Sequence, residues 1–196
     1  MQRLMELGLV QRETPFGSSS ASAKRSLYKI ADPFCRMWFR VVAPNRGLLA
    51  NAPRPVRERF WRKARPGLAS VAWEELCRQW VSFGSMRHHV LRESGDWEPA
   101  HRFWHGKNPE WDVVSQTVDG GRVLLGEVKW SERPMDNPRL RTMARKLLAK
   151  GIPPIKGLQE KEIHHVLFVP EVTGATPGEI DGVHVVTGEH VLGEKH

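Results

Sequence analysis

Two β-prone segments separated by an Asp-Gly pair constrain the fold of this chain more than any other feature of its sequence. The first segment, WDVVSQTV, covers residues 111–118, and the second, RVLLGEVKW, covers residues 122–130. Asp119-Gly120 between them is a strong signal for a tight hairpin turn. Loops of two or four residues centred there give the same strand register, whereas a three-residue loop would shift it by one residue.

In that register two carboxylates face each other near the open end of the hairpin, because Asp112 opposes Glu127. Opposed residues have Cβ atoms about 4.5 to 5.5 Å apart, so the two negative charges repel unless a cation offsets them. Strand alternation places Lys129 on the same face as Glu127. Two acids that hold a divalent cation beside an ammonium group suit phosphodiester hydrolysis. The alternative is a solvated strand end with a Glu-Lys pair and an unrelated Asp.

The overall charge favours a polyanionic partner. The chain has 196 residues, with 30 Lys and Arg against 22 Asp and Glu, which gives a net charge of +8. Such a basic excess is typical of proteins that contact nucleic acid, although many small basic proteins bind no polyanion. No apolar run approaches the roughly 20 residues that span a bilayer, and no signal peptide is visible. With two isolated cysteines, these features predict a cytoplasmic protein without membrane contact.

Residues 1–43 predict a short helix, a β-hairpin and a second helix. Apolar residues up to Leu9 are typical of the end of an amphipathic helix, and the β-prone segments VQRE and SLYKI flank a polar tip. A helix followed by such a hairpin is the second half of a winged helix, so we expect a partial winged helix. Asp32-Pro33 then begins a helix. Its apolar stripe, which we expect to be buried, consists of Phe34, Met37, Trp38 and Val41.

Residues 44–66 form the predicted connector, and residues 67–196 form the predicted second domain. The connector begins as a loop and continues as a basic helix, PVRERFWRKAR, which Pro66-Gly67 should end. Beyond the hairpin, NPRLRTMARKLLAKG predicts a helix, HHVLFVPE and VHVVTG predict strands, and MRHHVL is interpreted as a short strand. A further helix opens the second domain. Its expected buried stripe consists of Leu68, Ala72, Leu76 and Trp80.

Several segments together resemble one known family. SLYKIADPFCRMWFRVVAPNR is similar to the segment that joins the winged helix to the C-terminal domain in the archaeal-type P-loop ATPases, which also occur in bacteria. WEELCRQW resembles the helix that opens this C-terminal domain, and FWHGKNPEWDVV and LLGEVKW resemble its core motifs. The resemblance covers residues 8–170. It implies a PD-(D/E)XK nuclease-like domain, an α/β fold of restriction-endonuclease type with a mixed sheet flanked by helices.

The resemblance also implies roles for individual residues. Asp112 and Glu127 match the metal-binding acids, and Lys129 matches the motif lysine. The supporting helix glutamate, a further catalytic and metal-binding residue, maps to Glu74, with Glu75 as the alternative. The position after the aromatic residue favours Glu74, whereas the expected apolar stripe favours Glu75.

These roles imply Mg²⁺-dependent, or Mn²⁺-dependent, hydrolysis of DNA phosphodiester bonds. The chain contains no GxxxxGK[ST] motif, so it is not expected to hydrolyse nucleotides itself. The alternatives are a non-catalytic accessory domain that binds DNA or a separate P-loop ATPase subunit, and a truncated remnant of an ATPase-fused protein. A zinc site at His101 and His105, spaced i, i+4, is a further alternative without a recognisable third ligand.

Two basic regions are candidates for contact with nucleic acid. Lys24 and Arg25 lie in the predicted hairpin tip, and Arg145 and Lys146 lie on the helix that follows the second hairpin strand. Basic side chains at a loop tip or along a helix contact phosphates in many nucleic acid complexes. The alternative for both regions is a solvated surface that binds nothing.

Overall fold

The computed structural model describes residues 1–18, 26–83 and 89–193. The chain divides into two compact units. Unit 1 comprises residues 1–14 and 19–72, and unit 2 comprises residues 15–18 and 73–196. In the described residues, no helix is both long and apolar enough to cross a membrane.

Unit 1 contains the predicted helix and hairpin at its N-terminus. Strand β1 pairs antiparallel with β2, and Val10 lies opposite Ile30. The helix that begins at Pro33 is also present, and the Asp32 carboxylate caps it by accepting a 2.7 Å hydrogen bond from the Cys35 amide. The elements are α1 (Gln2–Glu6), β1 (Val10–Glu13), β2 (Leu27–Ile30), α2 (Pro33–Met37), a π-helical turn (Trp38–Val42), a 3₁₀ turn (Ala43–Asn45), α3 (Arg46–Asn51) and the start of α4 (Arg54–Phe83).

The expected burial of the α2 stripe is largely wrong. Val41 is buried, but Phe34 is 62% exposed and Trp38 is 37% exposed. An amphipathic stripe predicts which face of a helix is apolar but does not supply the layer that covers it. Among the described residues of unit 1, Val41 is the one buried side chain, so the stripe lacks such a layer there.

The expected helix end at Pro66-Gly67 is also wrong, because α4 runs without interruption for 30 residues. A proline inside a helix removes the hydrogen bond to the carbonyl four residues earlier, here that of Arg62. Arg62 is exposed, so water can replace the missing donor. The first part of the predicted connector, where a loop was expected, holds α3, whereas the expected basic helix is present as the first part of α4. The boundary between the two compact units falls within α4, after Ala72.

Unit 2 is built on a six-stranded mixed sheet with the order β3-β4-β5-β6-β8-β7. The central pairs β5-β6 and β6-β8 are parallel, and the remaining pairs are antiparallel. This confirms the mixed α/β fold class. The strands are β3 (His101–Phe103), β4 (Trp111–Gln116), β5 (Arg122–Val128), β6 (Glu162–Phe168), β7 (Glu179–Ile180) and β8 (Val183–Val186), and the helices beyond α4 are α5 (His89–Glu93), α6 (Asn137–Leu148) and α7 (Gly188–Leu192).

Helices cover both faces of this sheet. On one face Leu125 packs in a cluster with Leu140 and Leu147 of α6. On the other face Leu124 packs in a cluster with residues from the last turns of α4. The buried α4 residues are Trp73, Cys77, Trp80 and Val81. The expected stripe is thus corrected, since Leu76 is 39% exposed and the buried face is centred on Cys77.

Local strand predictions were less accurate at the edges of unit 2. Residues 89–93 form helix α5, not part of a strand, while 84–88 lie outside the described residues. The two-residue strand β7 and the three-residue strand β3 had no clear sequence signal. His101 belongs to β3, so the i, i+4 helical pair with His105 that a zinc site would need is absent.

Candidate active site

The hairpin between β4 and β5 has the register that the sequence predicted. Val113 lies opposite Gly126, and continuing this register by one residue sets Asp112 opposite Glu127. The connection uses the four-residue loop rather than the two-residue loop, because Thr117 still pairs with Arg122 through a 3.0 Å backbone hydrogen bond. Both loops have the same centre, so the facing pair is preserved.

The turn itself is fixed by the Asp-Gly pair. The Asp119 carboxylate accepts hydrogen bonds from the Thr117 hydroxyl, at 2.5 Å, and from the Gly121 amide, at 3.0 Å. Gly120 has a φ of +71°, a conformation that L side chains rarely adopt. These local constraints fix where the chain reverses and thereby align the two acids.

Asp112 is anchored across the hairpin. Its Oδ2 atom accepts a 2.9 Å hydrogen bond from the Val128 amide, while Oδ1 accepts none from the residues that the structure describes. Burial raises the pKa of this carboxyl above its ordinary value, and the neighbouring negative charge of Glu127 raises it further. The Val128 amide and the lysine charges nearby oppose this rise without cancelling it.

Glu127 is almost fully buried and forms ion pairs with two lysines. Its Oε1 atom lies 2.5 Å from Nζ of Lys129, as strand alternation predicted. Its Oε2 atom forms a short ion pair with Nζ of Lys150, which follows α6. Two ammonium groups therefore meet one carboxylate whose side chain is only 12% exposed.

Lys150 belongs to this site, although the sequence did not identify it. Its Nζ atom also donates a 2.7 Å hydrogen bond to the Glu110 carbonyl and lies 5.0 Å from the centroid of the Trp111 ring. The sequence presented it only as one of several basic residues around the end of α6. Lys150 is 23 positions from Glu127 in the sequence, and no local pattern relates residues so far apart. Only the packing of α6 on the face of β5 brings the two side chains together.

The supporting glutamate is not part of this cluster in the structure. Glu74 lies on α4, whose buried face covers the side of the sheet opposite to α6. Arg78 links the two regions, since its Nη1 atom donates a 3.1 Å hydrogen bond to the Asp112 carbonyl and lies 4.0 Å from the Glu74 carboxylate. Within the described ranges, no three His, Cys, Asp or Glu side chains gather as a metal-binding group.

The corrected burial of α4 bears on the choice between Glu74 and Glu75. With Trp73 and Cys77 on the buried face, helical spacing of about 100° per residue places Glu74 at the border of that face. The same spacing turns Glu75 toward the opposite side of the helix. The helical argument that favoured Glu75 rested on the wrong stripe, and the corrected face favours Glu74.

Of the four candidate nucleic acid residues, the structure describes Arg145 and Lys146, and neither belongs to this cluster. Lys24 and Arg25 fall outside the described residues. Arg145 lies 3.4 Å from the Asp181 carboxylate, which Arg141 also pairs with at 2.9 Å, so part of the α6 charge is neutralised. Lys146 is exposed on the same helix.

The donor set is chemically suited to a hard divalent cation. Two opposed carboxylates supply oxygen ligands, and Asp112 retains an oxygen that accepts no hydrogen bond from the described residues. Burial and the repulsion from Glu127 raise the pKa of Asp112, and a nearby positive charge would relieve the repulsion. Both Glu127 oxygens already contact ammonium groups, however, so a cation that used Glu127 would have to displace Lys129 or Lys150 from one of them.

Comparison with known proteins identifies one family. A family model described as archaeal and bacterial proteins of unknown function, DUF234, matches residues 38–145. This range includes the facing acids and most of α6. No curated protein and no solved structure matches the chain significantly.

Proposed function

Because this chain belongs to DUF234, a family of archaeal and bacterial proteins of unknown function, we propose its activity from its own site: metal-dependent hydrolysis of DNA phosphodiester bonds. Unit 2 would act as a PD-(D/E)XK-like nuclease domain. The observation that carries the proposal is the facing pair Asp112 and Glu127 with Lys129 beside it. A strand end that served only solubility would not need two opposed acids in a partly buried position.

Each residue has a distinct role in this proposal. Asp112 and Glu127 would hold a Mg²⁺ or Mn²⁺ ion, which, when bound, polarises the phosphoryl oxygen and lowers the pKa of water. Asp112 is held in position by the Val128 amide, so its second oxygen is available as a ligand. Lys129 is 42% exposed, and its ammonium group can orient water or stabilise negative charge on the phosphate.

Arg78 and Glu74 would act by holding other groups of the site in position. Arg78 binds the Asp112 carbonyl and thereby fixes the start of β4 relative to α4. Glu74 lies close to the Arg78 guanidinium and would complete the acidic surroundings through it. In this proposal both residues support the site rather than touch the scissile phosphate.

The test is a cleavage assay with plasmid DNA and labelled oligonucleotides in Mg²⁺, Mn²⁺ or EDTA. Asp112→Asn and Lys129→Ala should each lower metal-dependent cleavage by about a hundredfold or more, as expected when a preorganised electrostatic group is removed. Matched controls are Glu110→Gln, an exposed acid beside the cluster, and Lys156→Ala, an exposed lysine of unit 2. Both control variants should retain the activity of the parent chain.

Two results would contradict the proposal. One is cleavage by the Asp112 and Lys129 variants at the parental rate, which would trace the activity to another source. The other is the absence of metal-dependent cleavage in a folded parent chain together with no heat of Mg²⁺ or Mn²⁺ binding. Circular dichroism of each variant would show that a loss of activity does not reflect unfolding.

A second candidate function is a non-catalytic module that binds DNA or a separate P-loop ATPase subunit. The observation that favours it is the occupation of both Glu127 oxygens by Lys129 and Lys150. Two acids and two lysines balance in charge, so this ion-pair network is neutral without any further cation. A truncated remnant of a larger ATPase-fused protein would share this geometry, and calorimetry with Mg²⁺ separates all such non-catalytic forms from the nuclease.

A further inference from the structure

The net positive charge of the chain comes from one of its two units. By sequence, unit 1 holds fourteen Lys and Arg against four Asp and Glu, a net charge of +10. Unit 2 holds sixteen Lys and Arg against eighteen Asp and Glu, a net charge of −2. The net charge of +8 that suggested a polyanionic partner therefore belongs to unit 1, not to the unit that carries the acidic cluster.

The first part of α4 concentrates this charge on an exposed surface. Val56, Phe60 and Ala64 form its partly buried stripe, at successive intervals of four residues. The remaining side of the helix is exposed and carries a single acid, Glu58, which pairs with Arg54 at 2.7 Å. The basic residues of this segment are Arg54, Arg57, Arg59, Arg62, Lys63 and Arg65.

The cations at the centre of this segment are available to an external partner. Arg57, Arg59 and Arg62 are exposed, and their side chains form no hydrogen bond or ion pair with any residue that the structure describes. This differs from α6, where Arg141 and Arg145 share Asp181. Arginine presents a planar fork of donors that matches phosphate oxygens in pairs.

An aromatic side chain lies among these cations. Trp61 is 45% exposed, with Arg57 and Arg65 one helical turn to either side. A half-exposed indole between arginines is a surface on which an unpaired base can stack, and such stacking tolerates any base. A membrane-binding helix would instead need several large apolar side chains on its outer face. Trp61 is the one such residue on the outer face of this segment.

A cavity beside this surface adds one further cation, Arg40. It has a volume of about 310 Å³ and lies between the π-helical turn and α4. Arg40 and Lys63 supply its charge, and Phe60 supplies an apolar wall. The cavity thus extends the basic surface toward α2 and combines the two properties that nucleotides need, namely cations for phosphate and an apolar surface for the base.

We infer that residues 54–65 of α4 form a binding surface for single-stranded nucleic acid, with arginines on the phosphates and Trp61 stacked on a base. This surface replaces the hairpin tip and α6 as the main site of contact. The inference shares its substrate class with the proposed function but does not depend on cleavage, because it concerns unit 1 alone. We name the surface formed by residues 54–65 the α4 basic surface.

Fluorescence anisotropy with labelled single-stranded and duplex oligonucleotides of equal length tests this inference. The measurements are made on the full chain in EDTA, so that binding is observed whether or not unit 2 cleaves DNA. The parent chain should bind the single strand more tightly than the duplex. Its affinity should fall steeply with salt, as expected when phosphate contacts release counterions.

Variants of equal charge change then locate the surface. The triple variant R57Q/R59Q/R62Q should weaken binding by at least about tenfold and reduce the salt slope by about 2 to 3, roughly one per lost phosphate contact. The control R139Q/R145Q/K146Q removes three charges from α6 and should change affinity by less than about threefold, because it removes only the general effect of net charge.

Trp61→Ala separates stacking from charge. It leaves every cation in place, so it should weaken single-strand binding by about fivefold or more while leaving the salt slope unchanged. The inference is overturned if the α6 variant loses as much affinity as the α4 variant, or if Trp61→Ala binds as the parent does. It is also overturned if the parent binds vesicles of phosphatidylserine and phosphatidylcholine but neither oligonucleotide.

Discussion

The two units of this chain differ in almost every property that determines how a segment folds and what it can bind. Unit 2 has two buried clusters, one on each face of its sheet, whereas unit 1 has a single buried side chain, Val41, among its described residues. Unit 2 is slightly acidic, and unit 1 is strongly basic. The buried core and the net positive charge therefore lie in different units of this chain.

This separation suits a different task for each unit. A site that sets two acids beside two lysines needs packed elements on several sides, and unit 2 provides them. A surface that follows a flexible polyanion needs many exposed cations rather than a large core, and unit 1 provides those.

The largest difference should appear when a core side chain of each unit is truncated. Phe168 is fully buried and packs edge-on against Trp80 at 6.0 Å, so Phe168→Ala should reduce the free energy of unfolding by about 3 to 5 kcal/mol. Val41→Ala removes two methyl groups from a thin layer and should cost only about 1 to 2 kcal/mol. Urea unfolding followed by circular dichroism measures both values, and equal losses would refute the claim that unit 2 holds the main core.

The hairpin offers a matched pair of glycines that probes the packing beneath the site. A Cβ atom added to Gly126 would lie 2.9 Å from both the Phe168 ring and the Val113 side chain. Gly126→Ala should therefore cost about 1 to 3 kcal/mol through overpacking. Gly121→Ala meets only the Asp119 side chain, at 3.5 Å, and should be nearly neutral. Thermal unfolding measures the stability of both variants. If Gly126→Ala is as stable as the parent chain, the sheet can shift to accommodate the added methyl group.

How far the sequence could predict this molecule also differs between the units. The register of β4 and β5 followed from Asp119-Gly120, because a tight turn and the alternation of strands are local properties. Helix α6, strands β6 and β8, and the contact of Lys129 with Glu127 followed from similar local patterns. These elements form the centre of the sheet of unit 2 and one of its covering helices, where apolar periodicity and burial agree.

The features that the sequence did not predict correctly have a common physical cause. The exposure of Phe34, the continuous α4 through Pro66 and the role of Lys150 all depend on which elements pack together over long distances in the chain. The spacing of apolar residues predicts which face of a helix is apolar, and a proline predicts a lost backbone hydrogen bond. Neither predicts which element packs against the helix. The candidate site could thus be predicted as a pair of acids with one lysine, but not with its second lysine or its linking Arg78.

Lys150 gives a test of the ion-pair network at the site. If a divalent cation competes with ammonium groups for Glu127, then Lys150→Gln should bind Mg²⁺ about five to ten times more tightly than the parent, or roughly 1 kcal/mol. The matched control Lys156→Gln removes an exposed lysine of unit 2 and should leave the affinity unchanged. Isothermal titration calorimetry measures both. Weaker metal binding by Lys150→Gln would show that this lysine supports the cation rather than opposing it.

The smallest effect should appear in the pH dependence of two aspartates, one from each unit. The pKa of Asp112 is raised, chiefly by burial, so the ionised carboxylate destabilises the folded state. Asp112→Asn should therefore raise the midpoint of thermal unfolding at neutral pH. The gain should shrink as the pH falls through the folded pKa and vanish below the ordinary value of 3.8, where both states are protonated.

Asp32 should show the opposite sign. Its hydrogen bond from the Cys35 amide at the start of α2 lowers its pKa, so the ionised carboxylate stabilises the folded state. Asp32→Asn should lower the unfolding midpoint slightly at neutral pH, and the loss should disappear as the pH falls from 3.8 through the folded pKa. Thermal scans of both variants between neutral and acidic pH test the pair together. If the two variants shift the unfolding midpoint in the same direction, then the ionised carboxylates of Asp32 in unit 1 and Asp112 in unit 2 do not have opposite effects on stability, and this prediction is wrong.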